Sequence, residues 1–265
     1  AAIKVTVNNV NAGTIISDQT ICIGSDPVTF WSVVAGTGDG TVTWQWQSSP
    51  DNVTFTDVTG ATALTYDPGV LAADTWYRRV TTSVLNAVTC TKISNVVKVT
   101  VNAVSGGTIT ANQTICFGSA PSPFGSSDDG SGTGSTVNYQ WQRSSDNVIF
   151  STIPGATSTT YTSGVLYTDT WYKRTIISIQ NGVLCTAESN TIKVTINPLP
   201  IAVLTGGATI CPSGSAVLKV EMMAGTGPYE LDIENLGTIT GYTSNADISL
   251  SPAATTTYYL TQSIT

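Results

Sequence analysis

The stretch Val97-Lys98-Val99-Thr100-Val101-Asn102 decides the fold, because close copies of it occur at Ile3–Asn8 and Ile192–Asn197. Apolar and polar residues alternate in each copy, and successive side chains of a β-strand point to opposite faces. Each copy therefore predicts a strand with one buried and one solvent-facing side. A new round of similar sequence begins after each copy, which indicates that the copies are the closing strands of a repeated unit.

Matching motifs between these copies define two full repeats. The repeat length is 94 residues from Cys22 to Cys116 and 95 residues from Trp46 to Trp141. Solenoid repeats are far shorter, so each unit is predicted to be a separate domain. The chain is accordingly divided into the closing strand of a preceding repeat, repeat 1, repeat 2 and a divergent repeat 3 that lacks its last strand; these are residues 1–9, 10–102, 103–197 and 198–265.

The composition predicts an all-β protein. Only 10% of the residues are charged, whereas 41% are hydrophobic, which is enough for a core in each unit. Thr, Ser, Gly and Val suit short strands and turns better than helices. Turn signals recur at intervals of roughly 8–12 residues, as in sandwiches of short strands. The predicted fold is a tandem array of immunoglobulin-like antiparallel β-sandwiches with about seven strands each.

Four aromatic residues are predicted to lie in the two cores. Trp46 and Trp141 fall where an immunoglobulin-type sandwich keeps its core tryptophan, and Tyr77 and Tyr172 match the approach to its tyrosine corner. In antibody domains the second cysteine follows that tyrosine by two residues, but an arginine stands there in both repeats. The disulfides must therefore lie elsewhere.

The five cysteines follow the repeat. Cys22 and Cys90 are 68 residues apart, and Cys116 and Cys185 are 69 residues apart. This regular spacing predicts one disulfide within each repeat, at one pole of its sandwich, and an oxidising compartment, with free buried thiols as the alternative. Cys211 matches the first cysteine of each pair and is expected to be unpaired within this stretch of sequence.

Several function classes are disfavoured. A net charge of −7 without basic clusters argues against nucleic-acid binding. The sequence contains no His, so the usual serine or cysteine triads and a typical zinc site are not expected, and we predict no enzyme and no catalytic residues. No apolar run approaches the roughly 18 residues that a membrane span needs.

Two features are candidate binding sites. Trp76 and Trp171 precede the corner tyrosines, and exposed aromatic rings can stack on glycans; alternatively, Arg78 or a neighbouring strand covers the ring. The loop Asp128–Gly132 offers oxygen atoms to calcium, but it lacks the ligand spacing of a known calcium loop, and a flexible solvated loop is the alternative. No other cofactor is expected.

Three motifs carry a resemblance to a known family: Gln-Thr-Ile-Cys at 19–22, Gln-Trp-Gln-Ser-Ser at 45–49 and Asp-Thr-Trp-Tyr-Arg-Arg at 74–79. They resemble the immunoglobulin-like repeats of giant cell-surface adhesins in Bacteroidota, the SprB-like gliding-motility adhesins. The Gly-Pro-Tyr of 227–229 resembles a second repeat type of the same proteins. The resemblance implies export by the type IX secretion system, display on the outer membrane, and a role in adhesion and gliding.

The sequence favours a structural stalk segment of an extracellular multidomain adhesin or surface filament. Its expected partners are adjacent repeats of the same long chain, together with surface glycans or other cell-surface proteins. One alternative is a carbohydrate-binding accessory array of a secreted enzyme. Another is a strand-exchanged fibre, in which residues 3–8 of one molecule complete repeat 3 of the next by β-strand addition.

Overall fold

The computed structural model describes residues 1–264, and no helix occurs among them. Three β-sandwich units follow one another along the chain, each with its own hydrophobic core. The all-β fold and the tandem immunoglobulin-like architecture are thus confirmed. Within residues 1–264, no helix has the length and apolar character to cross a membrane.

Repeats 1 and 2 each contain ten strands, several of them only two residues long. Repeat 1 consists of β1 (Val10–Asn11), β2 (Thr14–Ile15), β3 (Gln19–Cys22), β4 (Ser32–Val34), β5 (Thr37–Gly38), β6 (Thr41–Ser49), β7 (Thr56–Asp57), β8 (Thr75–Leu85), β9 (Val88–Ile93) and β10 (Val97–Asn102). Repeat 2 consists of β11 (Val104–Ser105), β12 (Thr108–Thr110), β13 (Gln113–Cys116), β14 (Gly125–Asp128), β15 (Ser131–Gly132), β16 (Thr136–Ser144), β17 (Ser151–Thr152), β18 (Thr170–Gln180), β19 (Val183–Glu188) and β20 (Ile192–Asn197).

The main sheet of repeat 1 has the order β3-β10-β8-β6-β7, with β9 also paired to β8. β9 and β10 share one edge of β8: β9 pairs with its C-terminal half and β10 with its first three residues. β10 then leaves β8 and pairs in parallel with β3. Repeat 2 uses the same order, β13-β20-β18-β16-β17, with β19 on β18.

The opposite face of repeat 1 is formed by the β2–β4 pair and by single bridges such as Phe30 to Tyr66. Between the two faces lie Trp46, Phe30 and the alternating valines of β10, and Trp46 is fully buried. The indole Nε1 of Trp46 donates to the carbonyl of Ala63 at 2.9 Å, so its polar atom is satisfied. Trp141 is equally buried in repeat 2.

The third unit has six strands in two three-stranded sheets, ordered β21-β22-β25 and β24-β23-β26. Its strands are β21 (Ile201–Thr205), β22 (Ala216–Ala224), β23 (Tyr229–Glu234), β24 (Gly237–Tyr242), β25 (Ile248–Leu250) and β26 (Tyr259–Ile264). The Tyr242 hydroxyl accepts from the amide of Val220 at 2.9 Å and donates to the carbonyl of Ala246 at 2.8 Å. These bonds tie its loop to the sheet.

The N-terminal copy of the closing-strand motif belongs to none of these sheets. Ile3 and Val5 are 91% and 84% exposed, whereas the equivalent Val97 and Val99 of β10 are 0% exposed. The same alternating pattern therefore has a buried face in repeat 1 and a bare face in residues 3–8.

Candidate functional site at the junction between repeats

A buried polar cluster lies where β10 of repeat 1 meets the β18–β19 hairpin of repeat 2. The Asn102 Nδ2 donates to the carbonyls of Ser178 and Val183 at 2.9 and 3.1 Å. The Ser178 hydroxyl donates back to the Asn102 Oδ1 at 2.6 Å. Asn102 and Ser178 are both 0% exposed.

Asparagine suits this place because its amide carries both donors and an acceptor. The last residue of the closing strand can thus satisfy two carbonyls and one hydroxyl at the rim of the next domain. Loss of such a partner leaves buried groups unsatisfied, at a cost of about 1–3 kcal/mol. Asn102 therefore fixes the end of repeat 1 to the β18–β19 hairpin of repeat 2.

A disulfide crosses the same junction. Cys22 lies beside Asn102 in the parallel β3–β10 pair, and Cys185 lies opposite Ser178 in the β18–β19 hairpin. Because Asn102 binds Ser178, the two cysteines meet, with a Cα–Cα distance of 5.5 Å and a bond between Cys22 and Cys185. This bond joins repeat 1 to repeat 2.

The predicted disulfides within each repeat, Cys22–Cys90 and Cys116–Cys185, are therefore wrong. Cys90 lies opposite Ser83 near the C-terminal end of β8, whereas Cys22 lies beyond the other end of β8. Roughly eleven residues of strand, or about 36 Å, separate them along the sheet. A disulfide requires Cα atoms within about 7 Å.

Three cysteines keep free thiols in the structure. Cys90 is half-buried, and Cys116 and Cys211 are exposed. Cys116 ends β13 beside Asn197, just as Cys22 ends β3 beside Asn102. Cys211 belongs to the loop between β21 and β22 and has no disulfide partner among the described residues.

No free linker separates repeats 1 and 2. β10 ends at Asn102 and β11 begins at Val104, so only Ala103 lies between them. The amide of Ala103 donates to the Thr133 hydroxyl at 2.8 Å, and its carbonyl accepts from the amide of Thr133 at 2.9 Å. The junction is thus held by backbone, amide and disulfide contacts at once.

The N-terminal end of repeat 1 carries a second copy of this polar cluster. The Asn8 Nδ2 donates to the carbonyls of Ser83 and Val88, each at 2.9 Å, and the Ser83 hydroxyl donates to the Asn8 Oδ1 at 2.8 Å. Asn8, Ser83 and Val88 correspond to Asn102, Ser178 and Val183. The N-terminal copy of the closing-strand motif therefore contacts repeat 1 in the same way as β10 contacts repeat 2.

A buried arginine stands where antibody domains place their second core cysteine. Arg79 lies opposite Trp46 on the neighbouring strand, with its guanidinium carbon 5.7 Å from the centre of the indole ring. It is 0% exposed, and burial lowers its pKa. A cation–π contact thus takes the place of the usual disulfide–tryptophan contact.

The equivalent Arg174 of repeat 2 has more partners. It donates to the Ser126 hydroxyl at 2.7 Å and to the carbonyl of Thr159 at 2.5 Å. It also donates to the carbonyl of Asp129 at 2.9 Å and lies 3.7 Å from the carboxylate of that residue. The guanidinium of Arg79 donates to only two acceptors among the described residues, the Ser32 hydroxyl and the backbone carbonyl of Leu64.

The two corner tyrosines are both buried but differ in their hydrogen bonds. The Tyr172 hydroxyl lies 2.9 Å from the Ser163 hydroxyl. Repeat 1 has Pro68 at the matching position, which offers no hydroxyl. Burial raises the pKa of Tyr77 to about 12.

The candidate glycan-contact residues are half-buried, and a lysine covers one face of each ring. The Lys98 Nζ lies 5.0 Å from the ring centre of Trp76 and pairs with Asp74 at 2.6 Å. Lys193 covers Trp171 at the same distance. The cover comes from β10 and β20, not from Arg78, which stacks on Phe55 instead.

The candidate calcium loop of repeat 2 is engaged by protein groups. The Asp128 carboxylate accepts from the amide of Gly130 at 2.9 Å, and Asp129 faces Arg174. Within residues 1–264, no group of three or more Cys, Asp or Glu side chains has the arrangement of a metal site. Calcium binding by Asp128–Gly132 stays a prediction.

The third unit contains an open groove of about 600 Å³. Its apolar lining includes Leu204, Leu218, Leu250 and Tyr258, and Ile210-Cys211 forms part of its rim. In repeat 1 the matching Ile21-Cys22 lies directly beside the closing strand β10. This part of the groove thus corresponds to residues that flank the closing strand in repeat 1.

This fold and its junctions define a tandem array of immunoglobulin-like β-sandwiches joined by buried contacts. The chain belongs to the family of the domain of unknown function DUF8696, which matches residues 11–103 and again residues 105–198. No curated protein sequence matches the chain.

Three solved structures of immunoglobulin-like arrays are similar to the chain at low identity. Extracellular domains 3–5 of Drosophila OTK match at 13% identity and a TM-score of 0.29, over 87% of this chain and 80% of theirs. Immunoglobulin domains 1–5 of Sidekick-1 match at 14% identity and a TM-score of 0.34, over 96% of this chain and 57% of theirs. The insect immune protein hemolin matches at 9% identity and a TM-score of 0.32, over 84% of this chain and 61% of its own.

Proposed function

We propose that the chain is a load-bearing stalk segment of an extracellular multidomain adhesin or surface filament. The observation that carries the proposal is the junction between repeats 1 and 2, where a buried asparagine and a disulfide leave no free linker. Each repeat adds length to the stalk, since its longest strand of 11 residues spans about 37 Å. A secreted or cell-surface location fits the disulfide.

The position of the disulfide gives the stalk a specific mechanical property. Tension applied at the two ends of the double repeat passes from Cys22 to Cys185 through the disulfide. The chain between these cysteines, which are 163 residues apart in sequence, then carries no load. That separation corresponds to roughly 550 Å of extended chain. With the bond intact, repeats 1 and 2 can lose their fold without lengthening the stalk by this amount.

Single-molecule pulling tests the proposal directly. Handles at residues 9 and 198 of the full chain apply force across repeats 1 and 2, under oxidising conditions and after reduction. We expect full unfolding to extend the reduced chain by roughly 550 Å more than the oxidised one. Equal extension in both states would refute the load-bearing role, and the Cys90→Ser variant is the matched control because its thiol is free in the structure.

We further propose that this stalk belongs to a SprB-like gliding-motility adhesin of Bacteroidota, exported by type IX secretion and displayed on the outer membrane. The motif resemblance described above supports this assignment. Immunogold labelling of the source cells with antibody to repeats 1 and 2 tests it. We expect label on surface filaments, and label confined to the cell interior would contradict it.

A strand-exchanged fibre is the second candidate. Two observations favour it: the apolar side chains of residues 3–8 are exposed, and the third unit has an open groove with an apolar lining. A strand that alternates apolar and polar residues can bury its apolar side in such a groove. Light scattering of the purified chain over a range of concentrations tests it. The fibre requires growing assemblies that Val5→Asp abolishes, whereas a monomer at every concentration excludes it.

A carbohydrate-binding accessory array is less well supported, because Lys98 and Lys193 cover one face of each candidate tryptophan. A glycan array with the intact chain tests this function. Binding that Trp76→Ala or Trp171→Ala removes would favour it over the stalk.

A further inference from the structure

The half-buried thiol of Cys90 lies in the same setting as the bonded Cys185. Cys90 stands opposite Ser83 on the β8–β9 hairpin, and Cys185 stands opposite Ser178 on the β18–β19 hairpin. Both serines bind an asparagine that ends a closing-strand motif: Asn8 in the first case and Asn102 in the second. The β8–β9 hairpin of repeat 1 therefore has the same arrangement as the β18–β19 hairpin, which supplies the second cysteine of the inter-repeat disulfide.

The position of the missing partner follows from β3. In repeat 1 this strand runs parallel to the closing strand and places Cys22 beside Asn102. A strand in the same relation to residues 3–8 would place its last residue beside Asn8. Since Asn8 is bound to Ser83 and Ser83 is opposite Cys90, a cysteine at that place would lie next to Cys90.

The exposed apolar side chains of residues 3–8 also indicate which kind of partner would cover them. Ile3, Val5 and Val7 are 91%, 84% and 66% exposed, whereas the matching valines of β10 are at most 5% exposed. In repeats 1 and 2 the same row of side chains is buried by the core of its own sandwich. The fitting occupant is therefore the body of a repeat of this family.

We propose that Cys90 is the receiving half of a second inter-repeat disulfide, whose other half is the first cysteine of a DUF8696 repeat closed by residues 3–8. Together with Cys22–Cys185, this bond makes the array a series of overlapping covalent loops. In such a series, a DUF8696 repeat that is followed by another DUF8696 repeat donates its first cysteine to it, and the following repeat receives that cysteine with its second one. Repeat 2 is followed by the divergent third unit, and its first cysteine, Cys116, is a free thiol. This inference deepens the stalk proposal and rests on it for its mechanical meaning.

The bond forms by ordinary thiol–disulfide exchange with an oxidised low-molecular-weight disulfide such as oxidised glutathione. One cysteine thiolate attacks the reagent to give a mixed disulfide and releases one glutathione thiolate. The second cysteine thiolate then attacks the cysteine sulfur and releases another. Two thiols are thus oxidised to one disulfide, while one oxidised glutathione is reduced to two thiols.

The test extends the intact chain with one added repeat. Residues 10–96 of repeat 1 are placed directly before Ile3, so that residues 3–8 serve as the closing strand of the added copy. The added copy carries Cys90→Ser, which leaves only one Cys90 in the protein. The extended chain is refolded with a mixture of reduced and oxidised glutathione, and its thiols are counted under denaturing conditions.

The present chain contains three free thiols and one disulfide. The extended chain has one further cysteine, and we expect its thiol count to fall to two, with the added Cys22 bonded to Cys90 in a non-reducing peptide map. A count of four, or a bond from Cys90 to the Cys22 of its own repeat, would overturn the proposal. With Cys90→Ser in the original repeat as well, we expect three thiols.

A failure of the added copy to fold must be separated from a failure of the bond. Limited proteolysis shows whether the copy is folded, and the same design built from residues 104–191 with Cys185→Ser supplies an independent added repeat. A protease-resistant copy of either kind without the bond overturns the inference. The pulling experiment on repeats 1 and 2 is unaffected by this result, so the two proposals fail separately.

Discussion

Removal of the Cys22–Cys185 bond is the perturbation that the structure makes most informative. When repeat 2 unfolds beside a folded repeat 1, the bond closes a loop of roughly 80 residues, because Cys22 stays beside Asn102. Loop-closure entropy then gives about 4.5 kcal/mol for each repeat at 25 °C. The Cys22→Ser/Cys185→Ser double variant is expected to lose up to that amount for whichever repeat unfolds beside a folded neighbour, and not twice that amount when both repeats unfold, because one bond closes one loop.

Guanidinium denaturation followed by tryptophan fluorescence measures this loss, because all six tryptophans lie in residues 31–171 and none lies in the third unit. The Cys90→Ser/Cys116→Ser double variant is the matched control, since both of its cysteines are free thiols in the structure. We expect the control to unfold like the wild type and to remain sensitive to reductant. If both double variants lose the same stability, the inter-repeat assignment is wrong, because bonds within each repeat would be broken equally by either.

Three further predictions concern hydrogen bonds. Asn102→Ala should cost about 1–3 kcal/mol and speed hydrogen exchange at residues 176–185, whereas Asn8→Ala should leave exchange there unchanged. Tyr172→Phe should destabilise repeat 2 by about 1 kcal/mol through loss of the bond to Ser163, and Ser163→Ala should add little to it in a double-mutant cycle. Hydrogen bonds from the amide of Ile149, the Ser144 hydroxyl and the amide of Val148 lower the pKa of Asp146 to about 2. Because this pKa is depressed on folding, the stabilisation is present above about pH 4 and is lost as the pH falls towards 2; an NMR titration midpoint near 4 would contradict it.

The sequence predicts those parts of the fold that depend on local pattern. The alternation in Val97–Asn102 predicts a strand with one buried face, and the three valines of β10 are buried as expected, because side-chain direction follows directly from backbone geometry. The predicted solvent-facing side is wrong for Thr100, which is 7% exposed, and Asn102 is buried as well. The tandem array of sandwiches follows from the repeat length. The parallel pairing of β3 with β10 leaves no local pattern in the sequence and could not be predicted from it.

The disulfide prediction failed for a different reason. Equal spacing of cysteines in a periodic sequence fixes their place within the repeat, but it does not determine whether a bond joins positions of one repeat or of two neighbours. The bond depends on which pole of the sandwich each cysteine occupies, and that depends on the course of β3, β9 and β10. The asparagine that ends each closing-strand motif is the one sequence signal of the junction, because a strand end needs no amide side chain for its own hydrogen bonds.

Non-reducing tryptic mapping of the oxidised chain tests the central claim most directly, because cleavage at Lys and Arg places the five cysteines in five different peptides. The account predicts one linked pair, residues 5–78 joined to residues 175–193 through Cys22 and Cys185, with the other three cysteines alkylated as thiols. Linked pairs that join residues 5–78 to 80–92, and 99–143 to 175–193, would show bonds within each repeat. That result would contradict the disulfide between repeats 1 and 2 and the load-bearing role that depends on it.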